Sequence, residues 1–182
     1  MENTTNRIHI IEGHRGGCFQ IFPIRHTAVT EENWNGIEKC IEEEISIDEE
    51  EVFYHLYYFL NKYFDKDYPY AGARPPYCED EFEWSMEYNI YAYETIKKML
   101  SEIEECAHLL RTDFHNPKLD ALKNKVCDHP FAPENIPGDQ QIPAKKQELI
   151  AAVSDFYERF VNRMQHMMEN ASEYELISFM GP

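Results

Sequence analysis

The sequence predicts an α+β fold that is predominantly helical, with four main helices and a small antiparallel sheet. Two observations favour the helices: long stretches carry apolar residues at steps of three and four, and two of these stretches are long enough to form an antiparallel pair. A third observation favours the sheet, because short β-rich runs occur near both ends of the chain. The 182 residues, 43% of them hydrophobic, suit a single domain over residues 1–182.

The sheet is expected to combine an N-terminal hairpin with a C-terminal strand. Within residues 7–25, two β-rich runs flank the glycine-rich segment 13–17, which is typical of a β-hairpin. Residues 174–180 are short and apolar, and a glycine and a proline follow them. Because a lone hairpin is marginally stable in water, we expect this segment to add a third strand beside it.

Residues 30–112 are expected to form an acidic helical half. Ile37, Ile41 and Ile45 lie four positions apart, which predicts one buried helix face between residues 30 and 45. A second helix is predicted from about residue 48 to 64, where acidic residues in the first turn suit the helix dipole. After a loop over 65–80, a long helix is predicted from about residue 81 to 111, and its apolar residues keep helical spacing throughout.

The second half of the chain is expected to contain a connection followed by one long helix. Residues 113–142 contain four prolines and are interpreted as a connection with one short helix near 117–126. Pro143 occupies a favoured first position of a helix, so the second long helix is predicted over residues 143–171. This helix and the one before the connection are the natural antiparallel pair.

The charge of the chain limits its partners. The formal net charge is −17, so free nucleic acid and acidic membrane surfaces are poor partners, whereas a basic protein suits such a surface. The five cysteines are odd in number and irregularly spaced, which favours reduced thiols in the cytoplasm over a disulfide framework. The N-terminus has no signal-peptide pattern, and no cofactor motif is found.

The acidic side chains are concentrated in two runs, one from Glu31 to Glu51 and one from Glu79 to Glu87, which together hold 15 of the 34. Acidic runs on helix exteriors often serve solubility alone. The alternative is a docking surface for a basic partner, and tyrosines near the runs suit an interface. The residues that we assign to partner binding are Glu42, Glu43, Glu44, Asp48, Glu49, Glu50, Glu51, Glu79, Asp80 and Glu81.

Two weaker candidate sites contain histidine. Glu12 and His14 share one side of the predicted hairpin and form a minimal metal-site hypothesis, although two ligands do not make a site. Arg159 and His166 lie seven residues apart on one helix face. Their spacing resembles the Arg-x(4–6)-His motif of HEPN-type ribonucleases. That resemblance implies that His166 transfers a proton and that Arg159 stabilises phosphate charge.

The sequence favours a non-enzymatic interaction or regulatory protein. Its acidic surface would bind, and by binding inhibit, a basic protein, in the manner of immunity proteins, antitoxins or phage inhibitors. One alternative is a HEPN-like ribonuclease that uses Arg159 and His166. The other is a structural module in which the long helix pair forms the assembly surface of a homo-oligomer.

Overall fold

The computed structural model describes residues 10–12, 18–26, 37–49, 52–64, 88–124 and 144–181. It confirms the predicted class, since two long helices pack on an antiparallel sheet. Within these residues, the sheet has six strands: β1 (Ile10–Glu12), β2 (Cys18–His26), β3 (Ile37–Lys39), β4 (Ile45–Asp48), β5 (Tyr88–Ala92) and β6 (Leu176–Met180).

The strands are ordered β1-β4-β2-β6-β5, and every pairing is antiparallel. The C-terminal strand β6 lies beside β2, as expected, with Ile21 opposite Phe179. The predicted hairpin pairing was wrong, because β4 lies between β1 and β2. Ile47 of β4 pairs with Ile10 on one side and with Phe19 on the other. Strands β1 and β2 therefore both pair with β4, and the glycine-rich segment 13–17 lies outside the described residues.

The predicted helix over residues 30–45 was also wrong for its described part. Residues 37–48 instead form β3, a 3-10 turn at Ile41–Glu43, and β4. Ile45, Ser46 and Ile47 are all buried, because β4 is covered on both faces of the sheet. Isoleucines favour strands when a pairing partner is present, and here β2 provides that partner over both segments.

Four α-helices are described: α1 (Tyr57–Lys62), α2 (Tyr93–Thr112), α3 (Asp120–Asn124) and α4 (Ala144–Asn170). A π-helical turn, Val52–Leu56, leads into α1, and a 3-10 turn, Pro117–Leu119, leads into α3. The long helix predicted from residue 81 begins only at Tyr93, because residues 88–92 pair with β6 as strand β5. Residues 81–87 lie outside the described residues.

Helices α2 and α4 are antiparallel, as predicted. The Tyr93 hydroxyl at the start of α2 donates to the Ala171 carbonyl just after α4, at 2.8 Å. Further along, the Ser154 hydroxyl of α4 donates to the Ala107 carbonyl of α2, at 2.7 Å. These contacts hold the two helices side by side over most of their length.

The main core lies between the long helices and one face of the sheet. Side chains alternate along the strands, so Phe19, Ile21, Tyr91 and Phe179 face the helices. The other face of the sheet carries a smaller buried cluster of Phe22, Ile24, Ile90 and Leu176. Among the described residues, no helix is long and apolar enough to cross a membrane.

Candidate functional site: the acidic turn between β3 and β4

The site is built on the four residues Ile41–Glu44, which we call the acidic turn. Strands β3 and β4 pair with the same edge of β2, so the acidic turn interrupts one otherwise continuous edge. The turn is closed by the Glu44 N–H, which donates to the Ile41 carbonyl at 3.1 Å. Before it, the Cys40 N–H donates to the Pro23 carbonyl of β2 at 2.9 Å. Backbone pairing on both sides therefore fixes its position at the sheet edge.

Ile41 at the start of the acidic turn is 68% exposed. Within the described part of the chain, it is the one large hydrophobic side chain that is well exposed to solvent. The following residue, Glu42, is exposed as well. Helical spacing predicted that Ile41 belongs to the core, but the 3-10 turn directs it to solvent while Ile45 remains fully buried. The result is an exposed apolar side chain beside an exposed carboxylate.

Glu43 anchors the acidic turn to helix α4. The Arg163 Nη1 atom donates to Glu43 Oε2 at 3.0 Å, and the Asn170 Nδ2 atom donates to Glu43 Oε1 at 2.8 Å. The Glu43 and Arg163 side chains are only 16% and 18% exposed. Burial raises the pKa of Glu43, but hydrogen bonds from Asn170 and Arg163 outweigh burial and lower that pKa below its ordinary value. Glu43 therefore holds the turn and is not part of its free surface.

Carboxylates from two segments lie near Cys40, the buried residue before the acidic turn. Burial raises the pKa of the Cys40 thiol, and the nearby charges of Glu42, Glu43 and Glu173 raise it further. Glu173 is exposed and lies in the short connection between α4 and β6. The C-terminal part of the chain thus adds negative charge to the same surface. The two acidic runs in the sequence did not indicate this contribution.

The neighbouring strand β3 carries a neutralised carboxylate. Arg25 of β2 binds Glu38 with two hydrogen bonds of 2.9 Å, and its guanidinium lies 5.2 Å from the Tyr174 ring centroid. The Tyr174 hydroxyl is 3.4 Å from Glu38 Oε1. Glu38 is paired with Arg25, whereas Glu42 and Glu173 are exposed and form no ion pair within the described residues, although Glu173 lies close enough to Arg25 to interact with its charge.

The other predicted partner-binding residues are distributed more widely. Glu44 is partly buried, and Asp48 accepts a hydrogen bond from the Cys18 thiol at 3.1 Å. Both carboxylates are therefore less available to a partner than an exposed one. Glu49 is exposed directly after β4. The remaining five lie outside the described residues: Glu50, Glu51, Glu79, Asp80 and Glu81.

The described contacts give little support to either of the two histidine-containing candidate sites. Arg159 binds Asp155 one turn back along α4, at 2.8 Å, whereas His166 contacts Asn170 one turn forward, at 3.0 Å. Glu12 lies at the end of β1, where its side chain is not described, and His14 is outside the described residues. No cluster of three or more metal-binding side chains occurs among the residues with described positions.

Sequence reasoning missed Ile41, Glu173 and the two anchoring side chains, Arg163 and Asn170. Nothing in the local sequence links Arg163 to Glu43, which is 120 positions away. Comparison with protein families, with curated proteins and with solved structures finds no match for this chain. The geometry of the acidic turn is therefore the basis for a functional proposal.

Proposed function

We propose that this protein binds a basic partner protein through the acidic turn, with Ile41 as an apolar anchor and Glu42 and Glu173 as the charged border. The observation that carries the proposal is the 68% exposure of Ile41 next to exposed carboxylates. An exposed apolar side chain with a polar border is the arrangement of an interface anchor.

The two side-chain types would make different contributions to binding. Burying Ile41 fully in a partner pocket is worth roughly 1.5–3 kcal/mol, which suits one anchoring contact. The carboxylates act mainly on encounter, because complementary charge raises the association rate more than the affinity. A net charge of −17 adds a long-range attraction for a basic surface at low salt.

The anchoring of Glu43 supports the same proposal. Because Arg163 and Asn170 hold this carboxylate, and β2 holds the strands on both sides, the turn is ordered before any partner arrives. A preorganised turn loses less conformational entropy on binding than a free loop does. Two neighbours in sequence thus have separate tasks: Glu43 fixes the turn, and Glu42 presents charge.

The partner that fits this surface has an apolar pocket bordered by lysine or arginine. If that pocket belongs to the partner's own working surface, binding inhibits the partner. Immunity proteins, antitoxins and phage inhibitors act in this way, and the comparison is one of functional class only.

The experiment is affinity capture with four matched baits: wild type, Ile41→Asp, Glu42→Lys and Glu104→Lys. Glu104 is an exposed carboxylate on α2 away from the acidic turn, so its variant controls for the change in net charge. We expect wild type and Glu104→Lys to retain the same basic protein, and the two turn variants to lose it. Equal retention by all four baits would refute the proposal, provided that circular dichroism shows each bait to be folded.

The second candidate is a ribonuclease that uses Arg159 and His166, because His166 is exposed and lies on the same face of α4 as Arg159. Arg159 would have to exchange its Asp155 partner for a phosphate. This candidate predicts RNA cleavage that is lost in His166→Ala while the fold is retained. No cleavage by the wild-type protein would exclude it.

A further inference from the structure

A second surface feature is a depression of about 470 Å³ between α1, α2 and the Pro117–Leu119 turn. Helix α2 contributes one continuous face to it, since Lys98, Ser101, Glu102 and Glu105 follow helical spacing. Lys118 reaches the depression from the 3-10 turn, and further lining residues come from α1. Its volume falls in the range of small-molecule sites.

The carboxylates that line this depression are already occupied. Lys62 Nζ lies 2.6 Å from both oxygens of Glu102, and the Tyr63 hydroxyl donates to Glu102 Oε2 at 2.6 Å. Lys118 Nζ binds Glu105 through its Oε1 atom. The acceptor groups of the lining are therefore held by protein donors, which leaves little for a cationic ligand to bind.

Several donors in the lining are not occupied. Within the described residues, the Lys98 ammonium forms no ion pair or hydrogen bond, and neither do the hydroxyls of Ser101 and Tyr58. Lys98 and Ser101 are three positions apart on α2, so their side chains lie on one helix face. The depression thus offers hydrogen-bond donors, and a ligand that fits it must supply acceptors.

The charges of the lining residues also favour an anionic ligand. Three lysines line the depression, Lys62, Lys98 and Lys118, against two glutamates, Glu102 and Glu105. The lining therefore has one excess positive charge in a chain whose net charge is −17. Such a local reversal of sign attracts an anion, although the protein as a whole repels one.

We infer that this depression binds the phosphate group of a small molecule, with Lys98, Ser101 and Tyr58 as its hydrogen-bond donors. A phosphate has several acceptor oxygens in different directions, which suits donors that come from two helices. The remaining volume would hold the body of the ligand beside the Tyr58 ring. This inference is independent of the acidic turn and does not require a protein partner.

The test is isothermal titration of the whole protein with inorganic phosphate at constant ionic strength. We expect saturable binding by wild type that Lys98→Gln weakens about tenfold, the effect of losing one charge-assisted hydrogen bond. Ser101→Ala should also weaken it. Lys39→Gln is the matched control, because Lys39 is an exposed lysine on β3 that does not line the depression.

Three results would overturn the inference. The first is the absence of saturable binding by wild type. The second is an equal loss in Lys39→Gln, which would show general attraction by surface charge. The third is equally tight binding of malonate, a dicarboxylate, which would show that the depression does not distinguish phosphate from carboxylate. All the substituted side chains are exposed, so each variant is expected to fold.

Discussion

Arg163 of α4 and Glu43 of the acidic turn form an ion pair of 3.0 Å across 120 positions of sequence. This contact joins the C-terminal helix to the edge of the sheet and determines how the turn is presented. Both side chains are largely shielded from solvent, so the pair should contribute more than an exposed one. Removing this pair should therefore destabilise the fold.

Glu43→Ala is expected to lower the free energy of unfolding by about 1–3 kcal/mol, because a half-buried guanidinium and the Asn170 amide both lose this acceptor. The measurement is urea unfolding at pH 7. The control is Glu42→Ala in the same turn, which should stay within about 0.5 kcal/mol of wild type because Glu42 is exposed. Equal effects of both variants would contradict the anchoring role of Glu43.

The same carboxylate predicts a dependence of stability on pH. The folded-state pKa of Glu43 lies below its ordinary value of 4.5, so its contribution to stability is fully present above pH 4.5. That contribution is lost as the pH falls through the folded-state pKa. The difference in unfolding free energy between wild type and Glu43→Gln should therefore be constant near neutral pH and shrink in acid. A difference that grows towards low pH would reverse the sign and refute the assignment.

Ile41 and Ile45 are expected to respond very differently to truncation, although helical spacing would place them on one face. Ile41→Ala should change the unfolding free energy by no more than about 0.5 kcal/mol, because the side chain is 68% exposed. Ile45→Ala should cost about 2–5 kcal/mol, because Ile45 is fully buried. Thermal or urea unfolding compares the two. Similar losses would favour a helix over this segment and contradict the strand-turn-strand arrangement.

Tyr157 supports the core at a point away from both proposed sites. Its hydroxyl is buried and donates to the His55 carbonyl at 2.7 Å. Tyr157→Phe keeps the ring but removes that hydrogen bond, and we expect a loss of about 1–3 kcal/mol in unfolding free energy. Tyr58→Phe is the control, since the Tyr58 ring is only partly buried. Partner capture by Tyr157→Phe should be unchanged once folding is confirmed.

The sequence was a good guide where local pattern and environment agree. In α4, Val153, Phe156, Phe160 and Met164 recur at helical spacing and are all buried. The helix prediction was wrong at residues 37–48, because isoleucines four positions apart also suit two short strands on either side of a turn. Which arrangement forms depends on β2, a partner that local spacing cannot reveal.

The candidate site shows the same limit. Charge alone indicated Glu42, but the exposure of Ile41 follows from the 3-10 turn, and the turn follows from the pairing of β3 and β4. Glu173 and Asn170 come from the other end of the chain, and only the packing of α4 against the sheet edge brings them there. Such long-range contacts leave no periodic signal in sequence.

The most direct test of the central claim is site-specific photo-crosslinking from the acidic turn. A photoreactive amino acid replaces Ile41 in one sample and Glu104 in a second, and both are irradiated in native lysate before mass spectrometry. The account predicts that position 41 cross-links to one basic protein and that position 104 does not. No cross-link from position 41, or the same products from both positions, would contradict the acidic turn as a docking surface.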